Sequence, residues 1–345
     1  TSGQDIRQPT GGLGINLVVR HGTNTLHGLG RGYFTNDALE GSNIPDELSA
    51  AGVTKATADR TDQVTDYGFD LGGPLVKDKL WFFGSYRDYD TNNRISNTFF
   101  DDGSQGDDFN YIRQGAGRLT YQLSTRNKLS GFYDRISKYR GHDMQSLVDP
   151  ETASVVWTSP DYHTAGLKYT GTISTRILVE GGYSENIEFR NTEAQDGVTK
   201  DRNTPEWFAG ASRTPNTGSG RLASPSPSAT GKDWPERHNV QGSLSYVSGS
   251  HHVKTGAQMQ WGTFYHSNEG NADLIQRYRT VQRNAAGAIV GLADPVDVRP
   301  YNTPVQSQER LNADLGVFAQ DSWAVKRLTV NAGDRKGVVK GKSED

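Results

Sequence analysis

The chain has 345 residues, enough for one large domain or two ordinary ones. It contains no cysteine, which excludes disulfides and thiolate chemistry, and its net charge of −3 gives no sign of a nucleic-acid partner. Only 33% of the residues are hydrophobic, yet 10% are aromatic and 40 are glycine, a composition that indicates strands and turns rather than disorder. No apolar run approaches the roughly 20 residues of a membrane helix, but a membrane strand needs apolar residues only at alternate positions.

The first residues contain no signal peptide, because no basic segment precedes an apolar one after Thr1. We therefore expect either that an exported precursor has lost its first segment or that the sequence begins inside a longer protein.

Alternation of apolar and polar residues predicts β-strands along most of the chain. Leu119, Tyr121 and Leu123 alternate with polar side chains, and no such segment shows the three-and-four spacing of a helix. We predict an all-β fold, an antiparallel meander of about eleven long strands, without parallel pairing or a helix longer than three turns over 60–335. The strands are predicted near 28–36, 66–75, 79–89, 114–123, 127–137, 162–173, 176–188, 238–248, 251–266, 311–323 and 326–333.

Short and long connections alternate strictly between these strands. Because successive antiparallel strands place their connections at opposite ends, one end of the sheet carries tight turns and the other carries long loops. That asymmetry is typical of outer-membrane β-barrels, which have short periplasmic turns and long extracellular loops. The long connections are predicted at 37–65, 90–113, 138–161, 189–237 and 267–310.

The alternation also predicts sidedness, since the lipid-facing side chains of a barrel are apolar and those facing the lumen are polar. The residues predicted to face lipid are Leu119, Tyr121, Val240, Leu244, Tyr246, Val253, Ala257, Leu311, Leu315 and Val317. Those predicted to face the lumen are Arg118, Gln122, Lys128, Asp134, Lys168, Glu180, Ser243, Lys254, Gln258, Asp314 and Gln320. Aromatic residues near strand ends, such as Trp81, Trp261 and Trp323, indicate interface girdles more strongly than the core of a soluble barrel.

Three segments in order resemble the TonB-dependent receptors of the Oar-like branch. The first is GGLGINLVVRHGTN from Gly11 to Asn24, followed by His27-Gly28; it resembles the end of the plug domain and the entry into the first barrel strand. The second is GGPL at 72–75 with KDKLWFFGSY at 77–86, similar to the first periplasmic hairpin. The third is FAQDSW at 318–323 with RLTVNAG at 327–333, which resembles a mid-barrel hairpin.

The resemblance implies a 22-stranded transmembrane barrel in the outer membrane of a Gram-negative-type bacterium, closed by an N-terminal plug. It implies import of a ligand with energy from TonB, which would bind a part that precedes this sequence, and contact with outer-membrane lipid. Residues 1–27 would be the end of the plug, and 28–333 part of the barrel. The plug-to-barrel motif comprises Gly11, Gly12, Asn16, Gly22, Thr23, Asn24, His27 and Gly28. Siderophore, oligosaccharide and peptide all remain open as the ligand.

The last residues, 334–345, are basic and lack alternation, where the family would continue with a further strand. They resemble the product of a frameshift or an artefact. With an odd number of strands, we expect open edges near 28–36 and 326–333, and no transport by residues 1–345 alone, because unpaired backbone groups in hydrocarbon are costly.

No enzyme chemistry stands out, and we expect no catalytic residues, cofactor or metal. The aspartates at 101–108 could hold Ca²⁺ but lack a calcium-loop pattern, and His251-His252 has no third ligand. Glu180 and Glu185 have an odd separation and should lie on opposite faces of their strand. The alternative functions are a passive porin or structural outer-membrane protein without a plug, and a secreted β enzyme, for which no clustered catalytic set is found.

Overall fold

The computed structural model describes residues 20–55, 57–215, 224–283, 285 and 289–344. Its elements in chain order are β1 (His27–Asn36), α1 (Asp46–Ala50), β2 (Arg60–Val76), β3 (Leu80–Phe99), β4 (Gln105–Ser124), β5 (Asn127–Asp143), β6 (Val155–Ser174), β7 (Ile177–Ala194), α2 (Pro205–Ala209), β8 (Ser212–Pro215), β9 (Thr230–Ser248), β10 (His251–Glu269), a 3-10 turn (Asn271–Asp273), β11 (Leu274–Arg283), β12 (Ile289–Pro300), β13 (Val305–Val325) and β14 (Leu328–Glu344).

Eleven strands of the described chain form one antiparallel sheet in the order β1-β2-β3-β4-β5-β6-β7-β9-β10-β13-β14. Each strand pairs with its neighbour in sequence once the loop strands are left out, which confirms the predicted meander. Within the described ranges, β1 and β14 are the two edges of this sheet.

The strands are longer than the alternation predicted, and the predicted loop boundaries are wrong. β3 and β4 continue to Phe99 and from Gln105, so most of the connection predicted at 90–113 is strand. Likewise β14 continues to Glu344 in register with β13, whereas its predicted end was 333. For β3 and β4 the physical reason is that backbone pairing continues beyond the hydrocarbon, where polar residues occupy both faces and no alternation marks the strand. Residues 334–344 pair with β13 although they lack alternation, because the hydrogen bonds between strands join backbone groups and do not depend on the side chains.

A small second sheet, in the order β12-β11-β8, is built from the two longest loops. Its β8–β11 pair is parallel, so the prediction of exclusively antiparallel pairing over 60–335 is wrong at Ser212–Pro215. Helices α1 and α2 have five residues each. No helix in the described ranges has the length and apolar character needed to cross a membrane.

Cross-strand register gives the main sheet one apolar and one polar face. A single row on the apolar face contains Phe82, Leu119, Gly131, Leu167, Tyr183, Val240, Met259 and Leu315. The adjacent row, displaced by one residue along each strand, lies on the polar face and contains Thr120, Ser130, Lys168, Gly182, Gln241, Gln258 and Gly316. Leu119 is 53% exposed whereas Gln258 is 6% exposed, as expected if the polar face is the concave side.

The predicted sidedness agrees with this register except at Leu311. A β-bulge between Leu311 and Ala313 places Leu311 opposite Gly262, on the polar face. One extra residue in a strand reverses the side for every residue beyond it, and no sequence pattern marks this bulge.

Phenylalanine rings cover glycines on the polar face. A methyl group at Gly72, Gly166 or Gly256 would meet the ring of Phe83, Phe132 or Phe318, respectively, on the neighbouring strand. Phe83 and Phe318 are buried beside these glycines. Such pairs compensate for the weak packing of glycine in strands.

Candidate functional site on the polar face

Two aromatic belts bound the apolar face. The upper belt consists of Tyr133, His163, Tyr183, His238 and Trp261, and the lower belt, beside the short turns, consists of Tyr121, Tyr169, Tyr246 and Trp323. In the upper belt His238 stacks on Trp261 at 5.3 Å between ring centres. On β9 the belts are eight residues apart, from His238 to Tyr246, or about 26 Å along the strand at about 3.3 Å per residue. This is the length of strand that a membrane requires.

The polar face carries paired charges. Lys168 Nζ lies 2.8 Å from Glu180 Oε1, and Lys254 Nζ lies 3.8 Å from the other oxygen of the same carboxylate. Lys138 pairs with Glu188 at 2.9 Å farther from the short turns. A cavity of about 530 Å³ lies beside Lys168 and Glu180. A wall of this kind suits water or a polar segment in the lumen, because Lys138, Lys168 and Lys254 each have a carboxylate partner.

The chain enters the first strand across the polar face. Arg20 Nη1 lies 3.5 Å from Asp70 Oδ2 on β2. Gly22 is buried, and a methyl group there would overlap the carbonyl oxygens of Gly73 and Phe82. Only glycine allows the chain to lie this close to the backbone of the β2–β3 hairpin. We call residues 20–26 the strap.

Asn24 fastens the strap to the first short turn. Its side-chain oxygen accepts hydrogen bonds from the Asp78 backbone N–H at 3.0 Å and from the Trp81 indole N–H at 2.8 Å. Its amide also donates to the Asp78 carboxylate. Asp78 adopts a positive φ of 62°, and the bond to its N–H holds that turn.

The predicted plug-to-barrel motif is therefore only partly visible. Gly11, Gly12 and Asn16 lie outside the described residues. Gly22, Thr23 and Asn24 lie in the strap, and His27 and Gly28 begin β1. Asp78 and Trp81, which complete the contact, belong to the second family-like segment. Trp81 was expected in an interface girdle, but it lies opposite Thr120 on the polar face, so that expectation is wrong for Trp81. Their link to Asn24 spans more than 50 residues of sequence, so no local pattern could reveal it.

The two longest loops form one structured unit beyond the upper belt. Arg202 pairs with Asp273 and donates to the Thr303 carbonyl at 2.9 Å, and its guanidinium lies 4.9 Å from the ring centre of the buried Trp207. A cavity of about 560 Å³ lies between this unit and the wall, where it is lined by Asp143, Arg277, Arg299 and Tyr301, among others.

The other candidate residues do not form a reactive site. Asp108 pairs with Arg140, and His251 hydrogen-bonds to Asp321 at 2.6 Å and stacks on Trp323. The register puts Glu180 opposite Ser243 on the polar face and Glu185 opposite His238 on the apolar face, as their odd separation predicted. Among the described residues, no group of three or more His, Asp or Glu side chains is placed to hold a metal ion.

Comparison with known proteins places this sheet in a family. The model of the family described as outer membrane beta barrel domain matches residues 18–102 and 91–337. The TonB-dependent transporter Oar of Myxococcus xanthus is 38% identical over 77 residues, which cover 22% of this chain and 7% of Oar.

Two solved structures resemble the fold at 11% identity each. The outer membrane transporter YddB from Escherichia coli gives a TM-score of 0.56 over 93% of this chain and 40% of its own. FpvA of P. aeruginosa, solved with heterologous pyoverdines, gives 0.53 over 83% of this chain and 36% of its own. The chain thus spans less than half of either solved protein. Because the family model covers most of its length, the chain belongs to the outer membrane beta barrel domain family and is a protein of the outer membrane.

Proposed function

We propose that this chain is the first part of the barrel of a TonB-dependent transporter, preceded by the end of its plug. In this proposal residues 1–27 end the plug, residues 28–333 form barrel wall, and TonB acts on a preceding part of the protein. The strap is the observation that carries the proposal. A passive porin has no need of a segment that reaches its first strand across the polar face, pinned at Arg20, Gly22 and Asn24.

The proposal leaves the ligand as a siderophore, an oligosaccharide or a peptide. The transporter relatives, and the absence of a clustered catalytic set from the sequence, support transport rather than catalysis. The cavity beyond the upper belt is the natural place for first contact with a ligand, since it is built from the loops at the extracellular end.

The atypical end, 334–345, is proposed to be foreign to the barrel. The register of β14 places Lys336 opposite Val317 on the apolar face, between the two belts. A charge in that position costs about 2–4 kcal/mol near the bilayer midplane. A natural wall strand would carry an apolar residue there.

The experiment that tests the function is removal of everything before Arg20 from the complete protein, followed by conductance measurements in planar bilayers. A plugged transporter becomes a wide, permanently open pore, and ligand uptake by the intact protein disappears in cells that lack TonB. Unchanged conductance, together with TonB-independent uptake, would show a passive porin instead.

A further inference from the structure

The five short turns form a basic rim at one end of the sheet. Their strand-to-strand stretches, 76–80, 124–127, 174–177, 248–251 and 325–328, contain one carboxylate, Asp78. We use the name basic rim for Lys77, Lys79, Arg126, Arg176, Lys326 and Arg327. All six residues are exposed.

These cations lack acidic partners. None of the six makes an ion pair with the described residues; Lys79 lies 5.9 Å from the ring centre of Tyr121. Asp78, the single carboxylate, is engaged by Asn24. Elsewhere on the sheet several cations are paired with carboxylates, as at Lys168–Glu180 and Arg87–Asp66. Within the part of the chain that the structure describes, the rim is thus a positive surface without acidic partners.

The opposite end of the sheet has the opposite charge. The five long connections, 37–59, 100–104, 144–154, 195–229 and 270–304, contain 15 carboxylates and nine cations, and the first three of them contain a single cation, Lys55. The positive rim is therefore a property of one end of the barrel wall and does not follow from overall composition, which is slightly acidic.

The rim lies at the level of lipid headgroups. The lower belt, whose tyrosines and Trp323 mark the membrane interface, is within five residues of the turns along each strand. Neighbouring strands are about 4.8 Å apart, so successive turns follow one another at about 10 Å along the rim. Long cationic side chains at such sites extend toward the phosphate layer while their alkyl stems stay on apolar surface.

We propose that the basic rim binds the phosphate groups of anionic glycerophospholipids in the periplasmic leaflet of the outer membrane. Lys and Arg side chains complement phosphodiester oxygens, and each cation near an anionic lipid surface adds to the attraction. The inference does not depend on the transported ligand or on the plug. It requires only that the short turns face the periplasm, as in outer-membrane barrels.

The test compares the complete protein with two variants of equal charge change. The rim variant carries Lys77→Gln, Arg126→Gln and Lys326→Gln, and the control carries Lys55→Gln, Lys200→Gln and Arg279→Gln at the far end. Lys79 and Arg176 are kept because they contact Tyr121 and Tyr246 of the lower belt. Folding of each is checked by heat-modifiable migration, and native mass spectrometry then titrates phosphatidylglycerol against phosphatidylcholine.

The wild type and the control should prefer phosphatidylglycerol, and the rim variant should bind it at least about tenfold more weakly. The preference should weaken at high salt, because exposed charges are screened. Equal binding of the two lipids by the wild type, or undiminished binding by the rim variant, would overturn the proposal. Displacement of the lipid by inorganic phosphate at equal concentration would also overturn it, because the rim would then be a general anion site. Binding of peptidoglycan fragments in preference to the lipid would overturn it as well.

Discussion

The indole N–H of Trp81 donates a hydrogen bond of 2.8 Å to the side-chain oxygen of Asn24, so that the strand entering the wall is tied to the first turn of the next hairpin. The same oxygen accepts the backbone N–H of Asp78. One amide side chain thereby joins the strap, the turn and the lower end of β3. The strap is thereby fixed to the wall just before β1 begins.

Asn24→Ala should loosen this junction. It removes three hydrogen bonds whose replacement by water leaves a net loss of about 1–2 kcal/mol. The temperature at which the folded band is lost in heat-modifiable electrophoresis should fall. Thr23→Ala is the matched control, because the Thr23 hydroxyl contacts only the neighbouring Thr25 backbone, and an equal effect there would argue against a specific role for Asn24.

Gly22→Ala should displace the strap from the hairpin. The added methyl group meets backbone oxygens of Gly73 and Phe82, which cannot move aside like a side chain, at a cost of about 1–3 kcal/mol. Limited proteolysis of the folded protein should then cut near Arg20 sooner than in the wild type. Gly30→Ala, where a methyl group would meet nothing within 4 Å, should leave cleavage unchanged.

Lys336→Leu should stabilise the sheet in a bilayer. It replaces a charge on the apolar face with a lipid-compatible side chain, a gain of about 2–4 kcal/mol if the site lies near the midplane. Urea unfolding in phospholipid vesicles measures the change. Arg335→Leu, on the polar face opposite Phe318, should give no comparable gain, and equal gains would mean that β14 does not face lipid in this register.

Asp233 should make the loop end of β9 sensitive to acid. It lies beyond the upper belt and contacts Arg190 and His266. Burial raises the pKa of the Asp233 carboxyl, but hydrogen bonds from His266 and Arg190 lower it more, so the pKa lies below its ordinary value. Because the folded pKa is depressed, the contact stabilises the fold above about pH 4 and is lost as pH falls through the folded pKa.

The free energy of unfolding, measured as pH is lowered from neutral to below 4, should therefore fall less in Asp233→Asn than in the wild type. Parallel curves for the two proteins would show that Asp233 does not contribute to acid sensitivity.

The alternation of apolar and polar residues predicted the strands of the main sheet and the face on which their side chains lie. Lys168 and Gln258 were placed on the correct face because few charged or polar side chains are tolerated against lipid, so that apolar residues occupy every second position of a membrane strand. Leu311 was misplaced because a bulge at one residue leaves no trace in composition. The parallel contact at Ser212–Pro215 and the bond between Asn24 and Trp81 join distant segments, and such pairings follow from the folded geometry rather than from any local spacing.

The central claim is that one face of this sheet lies against lipid while the other lines the lumen, and neighbouring residues on β9 test it most directly. Nitroxide labels at Leu244→Cys and Ser243→Cys in the complete protein, reconstituted in phospholipid bilayers, report collisions with oxygen, which concentrates in lipid, and with a water-soluble nickel complex. The label at Leu244 should collide mainly with oxygen, and the label at Ser243 should be shielded from oxygen and, where water enters, reached by nickel. Equal oxygen exposure at both positions, or greater nickel exposure at Leu244, would contradict the account.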